Sequence, residues 1–407
     1  MRSEDVKVID LEEYKAETFA RDELPEDVGE AIWRDYSSQV QVEFPSPPTG
    51  WRWRLTSQGW VGRLPLLRGF TLRLRPRVEL GNLFRMLEYA YDLKSFSFLE
   101  GAYKAESIED FYSRLAGELA RRVLARSHRG LYHNYVGRSD ALPYVTGRLD
   151  AAALARKPWD VSVECHYHEH TADIEENQIL AWSLHTVLRS GLCREPALTV
   201  VRRARQTLLG TVSLKQFKGA DCAGRPYDRL NDDYRPLHSL CRFFLESTGP
   251  SHACGESEML PFKVNMARLY ERFVAEWLAA NLPPPWKVRA QEEFSVGERG
   301  VVSFNIDIVL YDSTSGAPLC VLDTKYKTPD RPATDDISQV ISYAVAKGCK
   351  DAVLIYPAPP TTPLDEKIGG IRVRSLTFSL SHDLDLSGET FVKSLLDDAY
   401  AATKDEL

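Results

Sequence analysis

Apolar positions in the last third of the chain change period twice. Met266, Leu269, Tyr270, Phe273, Val274, Trp277 and Leu278 recur at helical spacing and predict an amphipathic helix. Three strand-like runs follow, "WKVRAQEEFSV", "VVSFNIDIVLYD" and "APLCVLDTKYK". Next come a helix at "TDDISQVISYAVAKG", a buried strand "DAVLIYP", the alternating "IRVRSLTFSLS" and a last helix carrying Phe391, Val392, Leu395, Leu396 and Ala399. Helix, three strands, helix and strand predict an α/β domain around a central mixed sheet.

The first part of the chain has another rhythm. "QVQVEF", "WRWRLT", "WVGRLPL" and "FTLRLRPR" are short β-like pieces, the last with Phe70, Leu72 and Leu74 on one face and arginines on the other. Trp51 and Trp53 fall on one face of such a strand, where packing on the sheet is a better expectation than stacking on bases. Helices are predicted at "LGNLFRMLEYAYDL", with Leu83, Leu87, Ala90 and Tyr91 in a stripe, and at "ESIEDFYSRLAGELARRVLAR", with Phe111, Leu115, Leu119 and Val123. Arg121, Arg122 and Arg126 suit the C-terminal end of that helix dipole as well as they suit phosphate.

A strand pair ("YVTGRLDAAAL", "PWDVSVECHYHEH") precedes "ADIEENQILAWSLHTVL". There Asp173 and Glu176 read as a capping box for a helix burying Ile174, Leu180, Leu184 and Leu188. A basic helix ("LTVVRRARQTLL") and an aromatic one ("LHSLCRFFLE") complete an α+β N-terminal domain of small sheets and helices, residues 1–247. "STGPSHACGESEMLPFKV" lacks periodicity and is rich in Gly, Ser and Pro, so residues 248–264 read as a linker and 265–407 as the second domain.

Composition narrows the function. The 407 residues carry a net charge of −7, against the basic balance usual in a chain that grips nucleic acid unaided. Seven scattered cysteines with no C-x-x-C pair point to reduced thiols in the cytoplasm rather than a zinc ribbon or disulfide framework. No apolar run approaches the roughly 20 residues of a membrane span, and the first residues lack the apolar core of a secretory signal. No G-x-x-x-x-G-K-[ST] occurs, so P-loop nucleotide hydrolysis is not expected of this chain.

The candidate chemistry lies in "FNIDIVLYD" and "VLDTKYKTP". Strand alternation puts Asp323 and Lys325 on one face, and a turn-like "DSTSGAP" makes Asp307 their neighbour on the preceding strand. Two carboxylates that close resist joint ionisation unless a cation lies between them. A hard divalent ion with oxygen ligands and waters, most naturally Mg²⁺, resolves the conflict. Lys325 can then hold a water and offset developing charge, which is equipment for phosphodiester hydrolysis.

The D-x₁₅-D-x-K pattern of Asp307, Asp323 and Lys325 resembles the PD-(D/E)xK nuclease superfamily, with a restriction-endonuclease-like fold. Glu271 resembles the N-terminal acid of that core, and Gln339 with Tyr343 resembles its helix motif. Ile306 stands where the motif's proline would be, an absence common in the superfamily. "NLFRMLEYAYDL", "RGLYHNYVGRSDALPYVTGRLD", "DIEENQIL" and "YDRLNDDYRPLHSLCRFFLE" resemble the McrC family, the nuclease subunits of modification-dependent McrBC restriction systems. With the C-terminal match, that resemblance spans about residues 40–360.

The resemblance implies catalytic roles for Asp307, Asp323, Lys325, Glu271 and Gln339, and Mg²⁺ held by Asp307, Asp323 and Thr324. It also implies an N-terminal part that docks, through the loops of residues 40–160, on a McrB-like hexameric AAA+ GTPase and stimulates it. The substrate implied is double-stranded DNA carrying modified bases, of the methylcytosine type. A non-catalytic activator of the motor with a scaffold nuclease fold, and a standalone repair nuclease, are the competing readings. His166, His168 and His170, sharing a strand face with Glu164, form a possible metal strand, but no second His/Cys cluster is evident to complete it.

Overall fold

The computed structural model describes residues 7–93, 107–156, 159–249, 252–254, 257–296 and 302–404. They pack as two compact units: one holds Met1–Ile108, His252–Ser257 and Pro261–Leu407, the other Glu109–Ser251 and Glu258–Leu260. Among the described residues no helix is long and apolar enough to cross a membrane. Cys165, Cys193, Cys222, Cys241, Cys320 and Cys349 are free and buried.

In chain order, β1 (Lys7–Glu12), β2 (Ala16–Phe19), α1 (Glu26–Tyr36), β3 (Val40–Glu43), β4 (Trp53–Ser57), β5 (Trp60–Pro65), β6 (Phe70–Arg75) and α2 (Leu80–Ala90) come first. β4 lies between β2 and β3 in an antiparallel sheet, while β6 lies in a mixed sheet between β1, its parallel neighbour, and β5, its antiparallel one. Leu72 and Leu74 enter the core with Val28, Ile32, Trp53 and Leu55, as the alternation of β6 predicts. Trp51 and Trp53 do not share a face. Trp51 is exposed in a turn at φ 58°, outside the strand, whereas Trp53 opens β4 and is buried, because alternation holds only within an extended run.

The second unit comprises α3 (Ile108–Arg129), β7 (Asn134–Leu142), β8 (Arg148–Leu149), α4 (Ala151–Arg156), β9 (Val163–Thr171), α5 (Glu175–Arg189), α6 (Ala197–Leu208) and α7 (Tyr234–Ser247). Phe111, Leu115, Leu119 and Val123 of α3 are all buried. The expected capping box of α5 does not form: Ile174 occupies the N-cap without a side-chain cap. Asp173 accepts instead from Gln178 Nε2 at 2.8 Å and from Ser213. The distant serine competes for the carboxylate, which local spacing does not reveal.

The chain returns to the first unit through β10 (His252–Cys254), β11 (Ser257–Met259) and β12 (Phe262–Asn265). Residues 250, 251, 255 and 256 of the expected linker lie outside the described residues. Its end is no linker. β12 pairs antiparallel with β5, Val264 opposite Val61, and completes the sheet β1-β6-β5-β12. Phe262 and Val264 alternate into the interior, so apolar burial fixes this segment despite its turn-like composition. The expected division into 1–247 and 265–407 therefore differs from the packing, which joins the first hundred or so residues to the C-terminal region.

Next come α8 (Met266–Asn281), β13 (Trp286–Val296), β14 (Val302–Asp312), β15 (Pro318–Thr324), α9 (Thr334–Lys347), β16 (Asp351–Tyr356), β17 (Asp365–Ile368), β18 (Ile371–Thr377) and α10 (Leu384–Lys404). The six strands form one mixed sheet, β13-β14-β15-β16-β18-β17, antiparallel through β15 and parallel from β15 to β18. The seven apolar residues predicted for the stripe of α8 are all buried. Asn265 caps that helix by accepting from the Arg268 N–H at 3.0 Å. α8 packs on β13, β14 and β15, and α9 on β15, β16 and β18. α2 lies against α8, with the Tyr89 and Phe273 rings edge to face at 5.7 Å.

Candidate active site

β14 and β15 pair with Val309 opposite Val321 and Ile308 opposite Leu322. All four side chains are fully buried, so both faces of this strand pair are covered. The next step in that register sets Asp307 opposite Asp323 at the end of the sheet. Asp323 is 1% exposed. Asp307 Oδ2 accepts from both the N–H and the hydroxyl of Thr324, each at 3.0 Å.

These carboxyls disfavour one another's charge. Burial first, then the charge of Asp307, pushes the Asp323 carboxyl up to about 6 despite the pull of Lys325. Burial also raises Asp307, against the two bonds from Thr324. On α8, Glu271 points away from the apolar stripe. Burial, followed by Asp307 and then Asp323, pushes it up to about 7, with Arg268 opposing. Its Oε1 is buried with no hydrogen-bond partner.

Lys325 follows directly on β15. Its Nζ lies 2.7 Å from Asp323 Oδ2 and donates to Gln339 Oε1 at 2.9 Å. Gln339 Nε2 in turn donates to the Tyr343 hydroxyl at 2.7 Å, one turn further along α9. Burial would pull the lysine down, but Asp323 and Asp336 outweigh it and its ammonium is held above the ordinary value. The fold thus sets a bonded pair, Asp307 with Thr324, beside a bonded trio, Asp323, Lys325 and Gln339, with the two groups and Glu271 coupled electrostatically.

Two neighbours escape sequence reasoning. Asp336 Oδ1 stands 3.9 Å from Lys325 Nζ, and its Oδ2 stands 2.5 Å from Lys327 Nζ. Its position three residues before Gln339 on one helix face could have pointed to it. Gln291 on β13, between the Ala290–Ile308 and Glu292–Ile306 pairs that flank Asp307 on the next strand, sits at φ 52° and accepts from Asn305 Nδ2 at 2.9 Å. A left-handed conformation in mid-strand is rare for a residue with a side chain, and nothing in the local sequence announces it.

Among the described residues no group of three or more His, Cys, Asp or Glu is disposed to hold a metal ion. Two of the three histidines of β9 have separate neighbours: His166 Nδ1 lies 2.9 Å from Ser139 Oγ, and His170 stacks on His133. The Asp307–Asp323 end of the sheet offers a different donor set, two carboxylates with Thr324 beside them. That set fits a hard ion that keeps several waters, and the unpartnered Glu271 oxygen adds an acceptor for one of those waters.

The family model of the McrBC 5-methylcytosine restriction system component matches residues 55–357. No curated protein matches the chain. One solved structure similar to it is the half-complex from the tetradecameric assembly of Thermococcus gammatolerans McrB AAA+ hexamers with bound McrC. It shares 18% identity at a TM-score of 0.55, covering 96% of this chain and all of that one, which is a likeness of fold. A cryo-EM structure of the Thermococcus gammatolerans McrBC complex, also 18% identical, covers 68% of this chain and 88% of that one at a TM-score of 0.43.

Proposed function

Because this chain belongs to the family of McrBC 5-methylcytosine restriction system components, we propose that it is the Mg²⁺-dependent DNA endonuclease subunit of a GTP-driven, modification-dependent restriction complex. The observation that supports the reading best is the cluster of Asp307, Asp323, Glu271 and Lys325 at the end of a mixed sheet, as expected of a PD-(D/E)xK core. Asp307, Asp323 and Thr324 would hold the ion, and when bound it would supply a Lewis acid for a phosphodiester.

The chain's own groups do the rest. Lys325, aimed by Asp323 and Gln339, holds a water and offsets charge growing on the phosphate oxygens. Tyr343 keeps the Gln339 amide oriented, so the lysine has one preferred position. Glu271, titrating near neutrality, can accept a proton from a water on the α8 side. Thr324 fixes the rotamer of Asp307 with two donors.

The second part of the proposal is docking on a hexameric AAA+ GTPase and stimulation of its hydrolysis. It is supported by the fold likeness to an McrC bound to McrB hexamers. The β7–β9 arm supports it as well, since Tyr135, Tyr144, Val145, Trp159 and Val161 are all exposed there. The net charge of −7 suits a subunit whose partner supplies much of the grip on DNA.

The test is cleavage of a methylcytosine-bearing duplex by the chain with its AAA+ partner, GTP and Mg²⁺. The parent should cut, and Asp323→Ala should not cut while still raising GTP hydrolysis. Retained cutting in Asp323→Ala would refute the site. Efficient cutting of unmodified duplex without partner or GTP would favour the standalone nuclease.

A further inference from the structure

Immediately beyond Lys325 the chain lines a cavity of about 490 Å³, within the size range of small-molecule sites. Its walls include Tyr14, Arg77, Tyr326, Lys327, Pro357 and Leu380. All lie in the same compact unit as the carboxylate cluster. One side chain links cavity and cluster: Asp336 pairs with Lys327, which lines the cavity, and stands 3.9 Å from Lys325 of the cluster.

Three features show a built site. Among the described residues the Arg77 guanidinium makes no hydrogen bond or ion pair, and the side chain is exposed. Tyr14 is held at φ 57°, a conformation costly for a tyrosine, with its ring left half-exposed. Behind both sits Glu13, fully buried, whose Oε2 accepts from the Tyr326 hydroxyl at 3.0 Å and the Arg77 N–H at 3.3 Å. Its Oε1 has no partner. A buried carboxylate spent on fixing one aromatic and one cation-bearing residue gives the wall a defined shape.

Cations at the rim, an aromatic face and an apolar floor match a nucleotide: phosphate to the cations, base to the ring and floor. The volume admits one nucleotide and not a duplex. We propose that this cavity receives a single unstacked nucleotide of the DNA strand beside the bond to be cut, its phosphate on Arg77 and Lys327 and its base against Tyr14. The identity of that strand rests on the nuclease reading above; the binding does not.

The experiment separates the two. Full-length chain in EDTA is titrated against a short fluorescein-labelled single strand, followed by anisotropy, so that no cleavage is needed. Arg77→Glu and Tyr14→Ala should each weaken binding about tenfold, the loss expected for one stacked base or one phosphate contact. Tyr14→Phe, which keeps the ring, should bind as the parent does, as should Arg34→Glu on α1. Absence of binding by the parent, equal binding by all variants, or an equal loss in Arg34→Glu overturns the proposal. If free dCMP binds at the cavity and the strand does not, the placement of a DNA nucleotide is likewise overturned. If the binding pattern holds but the Mg²⁺ and motor assay gives no cutting, the nuclease reading fails and the cavity stands.

Discussion

Thr324 donates its backbone N–H and its hydroxyl to the same oxygen of Asp307, each over 3.0 Å. One strand end thereby sets the rotamer of the carboxylate on the next, and two donors offset part of the burial that raises it. Thr324→Val keeps the shape and the backbone donor but removes the hydroxyl. Loss of one bond to a charged group is worth about 1.5–3 kcal/mol. Cleavage should fall roughly tenfold to a hundredfold, with the acid limb of the pH–rate profile moved upward, while Thr324→Ser stays near the parent. Equal rates for Val and Ser would show that the hydroxyl does not matter.

Asp307→Ala, Asp323→Ala and Lys325→Ala should each abolish cutting, and the double variants should lose nothing more, because the three act as one unit. Removing divalent ions with EDTA should have the same effect, reversed by Mg²⁺. Motor stimulation should persist in all three. A cutting rate within a few-fold of the parent in either aspartate variant would sink the assignment.

Glu13 gives a pH dependence with a definite sign. Burial, against the Arg77 N–H and the Tyr326 hydroxyl, pushes its carboxyl up to about 7 from an ordinary 4.5. Between those values the folded chain keeps a proton that the unfolded chain has lost. Its contribution is therefore full below about 4.5 and is lost as pH rises through 7. Glu271 and Asp323 act in the same direction, so the comparison must be with Glu13→Gln. Thermal melts at pH 5 and pH 8 should show a smaller loss in that variant, by roughly 2–3 kcal/mol. An unchanged difference between the two pH values would mean that Glu13 titrates normally.

A fragment ending at residue 247 loses β12 from β5 and α8 from α2. Its first hundred residues should then lack cooperative unfolding, since the exposed edge of β5 and the apolar face of α2 have no cover. Residues 109–249, which pack as their own unit, should unfold cooperatively in urea. Amide exchange in β5 and β6 as slow in the fragment as in the full chain would contradict this.

Asp385 accepts from Arg85 at 2.7 Å, Tyr89 at 2.9 Å and Trp277 Nε1 at 3.0 Å, joining α2, α8 and α10. Asp385→Ala strands three donors and should lower stability by about 2–4 kcal/mol in denaturant titrations, without changing the acid cluster. Asp385→Asn, which keeps an acceptor, should cost less; equal losses would place the effect elsewhere.

The sequence by itself determined the parts of this protein that depend on neighbours along the chain. The stripe of α8 and the runs of β14 and β15 are legible because helix and strand periods turn apolar spacing directly into a buried face. The same alternation aligned Asp323 with Lys325, and the spacing to Asp307 marked the candidate site. Other relationships were decided by burial among distant segments. β12 left its linker-like stretch because Phe262 and Val264 had an open sheet edge to cover. Asp173 left the cap of α5 for Ser213, forty positions away. Glu13 came beneath Tyr326, and Asp336 came between two lysines, through contacts that no local pattern encodes. Periodicity tells a side chain which face it occupies. Only the packing of that face against the rest of the chain tells it whom it meets and at what charge.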